Sequence, residues 1–137
     1  MIKDIPHIKV EDLLIAIVPR EDASDASDLQ LWDSYIINLK EDNIKNVLIN
    51  TTGYGEIDGE MRKTATFRYF FEEIPALGVV LIEPIDNQLF NLSHEFWVSF
   101  QFEGHLFDKK YVFVTGSIDP INFTLVPFLG RKGVMIR

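Results

Sequence analysis

The chain has 137 residues, of which 47% are apolar and 25% charged, with no cysteine and a formal net charge of −8. A chain of this size buries about two-thirds of the surface that its unfolded form exposes, so one hydrophobic core can form without a metal or a disulfide. The composition excludes disulfide scaffolds, thiolate chemistry and cysteine-ligated zinc. It predicts a single domain over residues 1–137 and fits a reducing, cytoplasmic compartment.

The charge distribution bears on the possible partners. Both halves of the chain are negative, and the basic residues occur as isolated pairs such as Arg62–Lys63 and Lys109–Lys110. Proteins that bind nucleic acid or anionic membranes present a basic face. The longest apolar run, Leu13–Val18, is far below the ~20 residues that cross a bilayer, and the N-terminus has no signal-peptide pattern. We therefore predict neither a nucleic-acid partner nor a membrane partner.

Short apolar runs alternate with turn signals in the first half of the chain, a pattern typical of strands. A strand is predicted over Ile8–Val18, and its fully apolar second half is expected to be covered on both sides. The polar stretch Arg20–Asp28 is predicted to be a loop. Trp32–Leu39 and Ile44–Thr52, joined by a turn at Lys40–Asn43, form the best hairpin candidate of this half.

The middle of the chain is less regular. Gly53, Gly55 and Gly59 lie in the sequence TTGYGEIDGE, which predicts a loop able to adopt positive φ. The segment Thr64–Ile74 fits both helical and strand spacing, and its aromatic and β-branched residues favour a strand. A short apolar strand is predicted over Leu77–Ile82.

The clearest element is a hairpin in the second half. Phenylalanines and a valine alternate along Phe96–Phe102, a turn is predicted at Glu103–His105, and Leu106–Thr115 returns as the second strand. The alternation predicts that the phenylalanines point into the core together while Trp97 points away from them.

The tail completes the predicted fold. It contains candidate strands at Phe123–Leu129 and Gly133–Arg137, and Pro127 would confine the first of them to a sheet edge or a bulge. Seven to nine short strands with at most one short helix predict an all-β protein, an antiparallel β-sandwich. A small β-barrel is the alternative.

One part of this pattern resembles a known class of domain. The sequence YIINLKEDNIKNVLINTTG, followed by IPALGVVLIEP, resembles the paired strands of bacterial immunoglobulin-like β-sandwich domains. The resemblance is one of strand alternation over roughly half of the chain, without the cysteine pair of antibody domains. It implies a sandwich fold and no activity, because function depends on a site rather than on a fold.

Motifs for catalysis and metal binding are weak. The three histidines, His7, His94 and His105, lack metal-ligand spacing and are expected at exposed strand ends and turns. Ser93 and His94 are neighbours in a strand, so their side chains point to opposite faces and are poorly placed to share a proton. We predict no catalytic residue, no metal and no cofactor.

Acidic residues leave one alternative open. Asp22, Asp25 and Asp28 recur in the polar stretch, but without the glycine and closing glutamate of an EF-hand they are expected to form a solubilising loop. Any two of the 21 acidic residues could converge in a cleft, so a hydrolase using acidic side chains is the second alternative function.

The face around Trp97 is the candidate binding site. We expect Trp97, Ser99, Gln101 and Tyr111 to form it, unless the tail after Thr115 covers it. The sequence thus predicts a non-catalytic protein-interaction module that binds a protein partner or itself, for example as a homodimer. The first alternative is a small-ligand-binding sandwich or barrel, with a pocket lined by the abundant aromatic side chains.

Overall fold

The computed structural model describes residues 10–20 and 31–137, which form a β-sandwich of two antiparallel sheets. Two single 3₁₀ turns, Asn87–Leu89 and Pro120–Asn122, are the helical elements of this part of the chain. The strands are β1 (Leu13–Pro19), β2 (Leu31–Asn38), β3 (Ile44–Ile57), β4 (Glu60–Lys63), β5 (Phe67–Ile74), β6 (Val79–Asp86), β7 (Ser93–Phe102), β8 (His105–Phe113), β9 (Thr124–Val126) and β10 (Arg131–Ile136).

Five strands form each sheet. In sheet I the order is β6-β2-β1-β10-β9. In sheet II the long strand β3 pairs with β7 on one side and with β5 and β4 on the other, while β8 pairs with β7. The sheets stay separate layers over the described residues, so the predicted all-β sandwich is confirmed. The strand that was not predicted is β4, which begins at Glu60, the last residue of the predicted glycine loop.

The core lies between the inner faces of the two sheets. Strand alternation places every second side chain of β1, β7 and β8 in this layer. The phenylalanines of β7 point inward as predicted, with Phe96 and Phe100 almost fully buried and Phe102 partly buried. The largest fully buried side chains of the core are Tyr111, Phe96, Phe100, Phe113, Leu13, Ile15, Ile17, Ile36, Ile44 and Ile49.

The β7–β8 hairpin has the predicted form. Its loop contains two residues, Glu103 and Gly104, whose φ angles are 50° and 76°. Positive φ at both positions is typical of the type I′ turn that matches the twist of a hairpin. His105, expected in the turn, is the first residue of β8.

The predicted hairpin between Trp32–Leu39 and Ile44–Thr52 is wrong. Strand β2 pairs with β1 and β6 in sheet I, whereas β3 belongs to sheet II. The short segment between them is therefore a crossover from one layer to the other. A short polar connection between two alternating strands is compatible with either geometry, so the local pattern did not distinguish them.

The prediction of a glycine loop is wrong at two of its three positions. Gly53 and Gly55 lie within β3, where Thr64 and Leu92 pack against their backbone. Only Gly59, in the turn to β4, has a positive φ, of 79°. The strand interpretation of the following segment is confirmed, because β5 covers Phe67–Ile74.

Two further predictions concern the first strand and the tail. The predicted first strand, Ile8–Val18, begins later, because β1 starts at Leu13 after Asp12, whose φ is 60°. As expected, the apolar part of β1 is buried on both faces. Most of the polar stretch, residues 21–28, lies outside the described residues, as does residue 8. Strand β9 ends just before Pro127 and forms an edge of sheet I, as the proline predicted.

Two crossovers are tied together at one end of the sandwich. Asn38 is fully buried, and its Nδ2 donates to the carbonyl oxygens of Asp42 at 2.9 Å and Pro75 at 3.1 Å. The Lys40 N–H donates to Asn38 Oδ1 at 3.0 Å, and the Leu77 N–H donates to the Lys40 carbonyl at 3.1 Å. The β2–β3 and β5–β6 connections therefore hold each other in place.

Among the described residues, no helix has the length and apolar character required to cross a bilayer.

Candidate functional site

The outward side of sheet II is an open surface, which we call the outer face. It consists of the side chains that alternate with the buried ones on four neighbouring strands. The register of the strands places these residues side by side: Arg68 and Phe70 of β5; Leu48, Asn50 and Thr52 of β3; Glu95, Trp97 and Ser99 of β7; and Asp108, Lys110 and Val112 of β8.

Apolar side chains are exposed near the centre of the outer face. Leu48 on β3 is directly opposite Phe70 on β5, and these side chains are 38% and 61% exposed. Trp97 on the adjoining strand β7 is 43% exposed. The Nζ atom of Lys110 lies 5.4 Å from the Trp97 ring centroid and 3.7 Å from Glu95 Oε1. Trp97 is thus flanked by an ion pair but is not covered by it.

Three of the four predicted binding residues lie on the outward side of sheet II. Trp97 and Ser99 belong to the outer face, and Gln101 continues it toward the end of β7. Tyr111 does not belong there, so its assignment to the binding face is wrong. It pairs with Phe96 on the core side, is 1% exposed, and donates its hydroxyl proton to the Leu13 carbonyl at 2.8 Å.

The alternation of side chains along β8 could have predicted that Tyr111 points into the core. Tyr111 and Phe113 alternate in the same phase, and both are buried. Burial raises the pKa of the Tyr111 hydroxyl above its ordinary value. This group therefore acts as an internal anchor between sheet II and β1.

The tail does not cover Trp97. After Thr115 the chain leaves sheet II, and its last two strands, β9 and β10, join sheet I beside β1. The alternative in which the tail packs over the outer face is therefore wrong for the described residues.

A polar atom in the outer face lacks a partner. Asn50 is paired across the strands with Arg68 on one side and Trp97 on the other. Its Oδ1 atom is buried and accepts no hydrogen bond from the described residues. A buried acceptor without a donor destabilises a fold by about 1–3 kcal/mol, so Asn50 Oδ1 contributes no hydrogen bond that stabilises the sheet.

The charges of the outer face cancel. Arg68 and Lys110 contribute two positive charges, and Glu95 and Asp108 contribute two negative ones. The whole chain, in contrast, carries a net charge of −8. These four residues of the outer face therefore balance one another, on an otherwise acidic protein.

A second feature is a cavity at one end of the sandwich, which we call the end cavity. It has a volume of about 300 Å³ and lies where the β7–β8 turn meets the β2–β3 crossover. Phe100 and Phe107 stack there with ring centroids 5.4 Å apart. The residues that line it are Val10, Lys40, Phe100, Phe102, Glu103, His105 and Phe107.

A third feature is a small cleft between the sheets, which Glu83 of β6 lines together with mostly apolar groups. Tyr69 of β5, which does not line the cleft, donates its hydroxyl proton to Glu83 Oε2 at 3.1 Å. Burial, together with the charge and hydrogen bond of Glu83, raises the pKa of Tyr69 to about 12. The cleft has a volume of about 80 Å³, which is room for only two or three water molecules at ~30 Å³ each.

His94 lines this cleft, and its expected exposure is wrong. The side chain is 7% exposed, and its Nε2–H donates to the Leu89 carbonyl at 2.7 Å. Burial lowers the pKa of His94 from 6.5, despite opposing effects of the Leu89 carbonyl and Glu83. The alternation of His94 with Phe96 and Val98 could have predicted this burial.

The described residues provide no cluster of three His, Asp or Glu side chains that could hold a metal ion. His105 is exposed at the start of β8, as its position in the sequence predicted. His7 and the residues Asp22, Asp25 and Asp28 lie outside the described residues.

No protein-family model matches the chain, and no curated protein matches it significantly. The functional argument therefore depends on the geometry of the chain itself.

Proposed function

We propose that this protein is a non-catalytic interaction module that binds a second copy of itself through the outer face. The observation that supports the proposal is the exposure of Trp97, Leu48 and Phe70 on one sheet surface. Grouped apolar side chains on the surface of a folded domain are typical of a protein-binding site. Tryptophan is also enriched among the residues that dominate binding energy at interfaces.

The charge of the outer face favours a second copy as the partner. Two molecules that each carry −8 repel each other over most of their surfaces. At the outer face Arg68 and Lys110 balance Glu95 and Asp108, so contact between two such faces adds no like-charge excess. A strongly acidic or basic partner, in contrast, would find no complementary charge there.

Stacking of two outer faces is favoured over joining of sheet edges. Leu48 and Trp97 lie on β3 and β7, which are paired on both sides and so have no free edge. The edge strand β8 carries Lys109 and Lys110, and lysines on an edge oppose pairing with another chain. A two-fold stack would bury Trp97 of both copies at its centre.

The proposal is tested by measuring the molecular mass with size-exclusion chromatography and light scattering at two concentrations. The wild-type mass should rise from 15.8 kDa toward twice that value as the concentration increases. Trp97→Glu should stay monomeric, because it places a charge in the centre of the apolar contact. Ile121→Glu is the matched control: Ile121 is 86% exposed in the turn before β9, so this variant should behave as the wild type.

A wild type that is monomeric at the highest concentration overturns the proposal, as does a Trp97→Glu variant that still dimerises. Circular dichroism must show that the variant is folded. If Trp97→Glu does not fold, Phe70→Glu on the neighbouring strand provides a second disruption of the same face.

Three further predictions concern the compartment, the hydrolase alternative and the small-ligand alternative. The cytoplasmic compartment agrees with the cysteine-free sequence. The cleft beside Glu83 does not favour the hydrolase alternative, because about 80 Å³ is too small for an organic substrate. The small-ligand alternative concerns the end cavity and is independent of the outer face.

A further inference from the structure

We propose that the end cavity is a binding site for a planar aromatic carboxylate. The cavity is separate from the outer face, because its aromatic walls come from the core side of β7 and β8. Its volume of about 300 Å³ is at the lower limit of the ~300–1,000 Å³ typical of small-molecule sites. A compact ligand with a single ring or with two fused rings fits this volume.

The walls of the end cavity suit a flat apolar body. The rings of Phe100 and Phe107 are stacked at an interplanar angle of 18°, and the His105 ring meets Phe107 edge-on at a centroid distance of 6.3 Å. Phe102 also lines the cavity and is only partly buried. Aromatic surfaces bind planar rings through offset and edge-to-face contacts.

The positive charge in the end cavity comes from Lys40. Its Nζ atom lies 4.8 Å from the centroid of the Phe102 ring, and no carboxylate of residues 10–20 or 31–137 forms an ion pair with it. The backbone of Lys40 is fixed on both sides, by Asn38 Oδ1 and by the Leu77 N–H. Among the described residues, the Lys40 ammonium group therefore lies at the aromatic wall with no carboxylate paired to it.

A carboxylate on the ligand would supply that partner. A charge-assisted hydrogen bond to an ammonium group is about twice as strong as a neutral one, and the aromatic surroundings reduce competition from water. Glu103, at the rim, opposes an anion, but its side chain is on the exposed hairpin turn. The net preference is for a ligand with one negative charge close to its rings.

An NMR titration of ¹⁵N-labelled protein with 2-naphthoate tests this site. Chemical-shift changes should concentrate at Lys40 and residues 100–107, and the neutral analogue 2-naphthalenemethanol should bind at least tenfold more weakly. Lys40→Met, which keeps the length of the side chain, should also weaken naphthoate binding at least tenfold. Lys63→Met, at an exposed position on β4, is the matched control and should leave the affinity unchanged.

The proposal is overturned if naphthoate causes no saturable shifts, if the shifts lie away from the end cavity, or if Lys40→Met binds as well as Lys63→Met. Equal affinity for the alcohol and the carboxylate also overturns it. Glu103→Gln should strengthen binding, because it removes the opposing charge at the rim. The monomeric variant Trp97→Glu should bind naphthoate normally, so this test is independent of self-association.

Discussion

The outward sides of the two sheets differ in how their apolar residues are covered. In sheet I, Leu14, Ala16 and Val18 of β1 and Ile37 of β2 point outward and are at most 2% exposed. They form a second hydrophobic cluster with Val126 of β9, and Leu129 of the β9–β10 connection packs against it. In sheet II, Leu48, Phe70 and Trp97 also point outward, but each is more than one-third exposed.

An outward apolar side chain stabilises the monomer only where other residues of the chain cover it. Fully buried outward residues contribute to stability in the monomer, because burial of a Leu or Ile side chain contributes ~1.5–3 kcal/mol. Exposed outward residues contribute little until another molecule covers them. The outward side of sheet I therefore stabilises the monomer, whereas the apolar residues of the outer face are exposed to solvent.

The largest difference in stability is expected between two substitutions, one on the outward side of each sheet. Ile37→Ala should lower the free energy of unfolding by ~2–5 kcal/mol, because it leaves a cavity in a fully buried cluster. Leu48→Ala should cost about 1 kcal/mol or less, because the side chain is already partly solvated. Urea denaturation of both variants at a protein concentration where they are monomeric measures the difference. Equal losses would show that the two faces are not distinct.

The next effect concerns how β10 packs against β1 in sheet I. A Cβ atom at Gly133 would lie 2.5 Å from the carbonyl oxygen of Ile17. Gly133→Ala should therefore push β10 away from β1 and cost ~1–3 kcal/mol, the range for overpacked sites. The neighbouring substitution Lys132→Ala is the control, because Lys132 is exposed. A Gly133→Ala variant with the stability of the control would contradict the close packing.

Acidification should affect the inner side of sheet II through His94. Burial lowers the pKa of His94 in the folded state, so the unfolded chain binds more protons than the folded chain as the pH falls below about 6.5. The free energy of unfolding should therefore fall as the pH drops below about 6.5. Urea denaturation between pH 7.5 and 5.5 measures this loss. His94→Gln, whose amide can still donate to the Leu89 carbonyl, should have a weaker pH dependence, and an unchanged dependence would contradict the assignment.

The smallest expected effect is on the outer face itself. Asn50→Thr removes a buried acceptor that has no donor among the described residues and introduces a residue that favours strands. We expect the variant to be as stable as the wild type or more stable by up to ~1 kcal/mol. Asn38→Thr is the contrasting control, because Asn38 donates to several carbonyls and its loss should destabilise the fold clearly. A large loss in Asn50→Thr would show that Asn50 is structural.

Local alternation predicted much of the fold. The β7–β8 hairpin was predicted because both strands carry a regular inward phase and a short turn joins them, so only neighbouring residues were needed. The same phase predicted the outward position of Trp97, and it would have predicted the burial of His94 and Tyr111. The resemblance to immunoglobulin-like sandwiches concerns the fold alone and stays a prediction.

The remaining features depend on contacts between distant segments. The crossover between β2 and β3 carries hydrogen bonds from Asn38 to the carbonyls of Ile74 and Pro75, which no local pattern reveals. The grouping of Leu48, Phe70 and Trp97 requires the register of three strands. The end cavity requires Lys40 to meet Phe102, a contact that exists only after both sheets have assembled.

The bonds of Asn38 have a consequence for local opening of the molecule. This side chain joins two crossovers whose linked residues, Asn38 and Pro75, are 37 positions apart in the sequence. If either crossover opened alone, buried donors and acceptors of the other crossover would lose their hydrogen-bond partners, at a high free-energy cost. The two segments therefore fray together or not at all, as one cooperative subglobal unit.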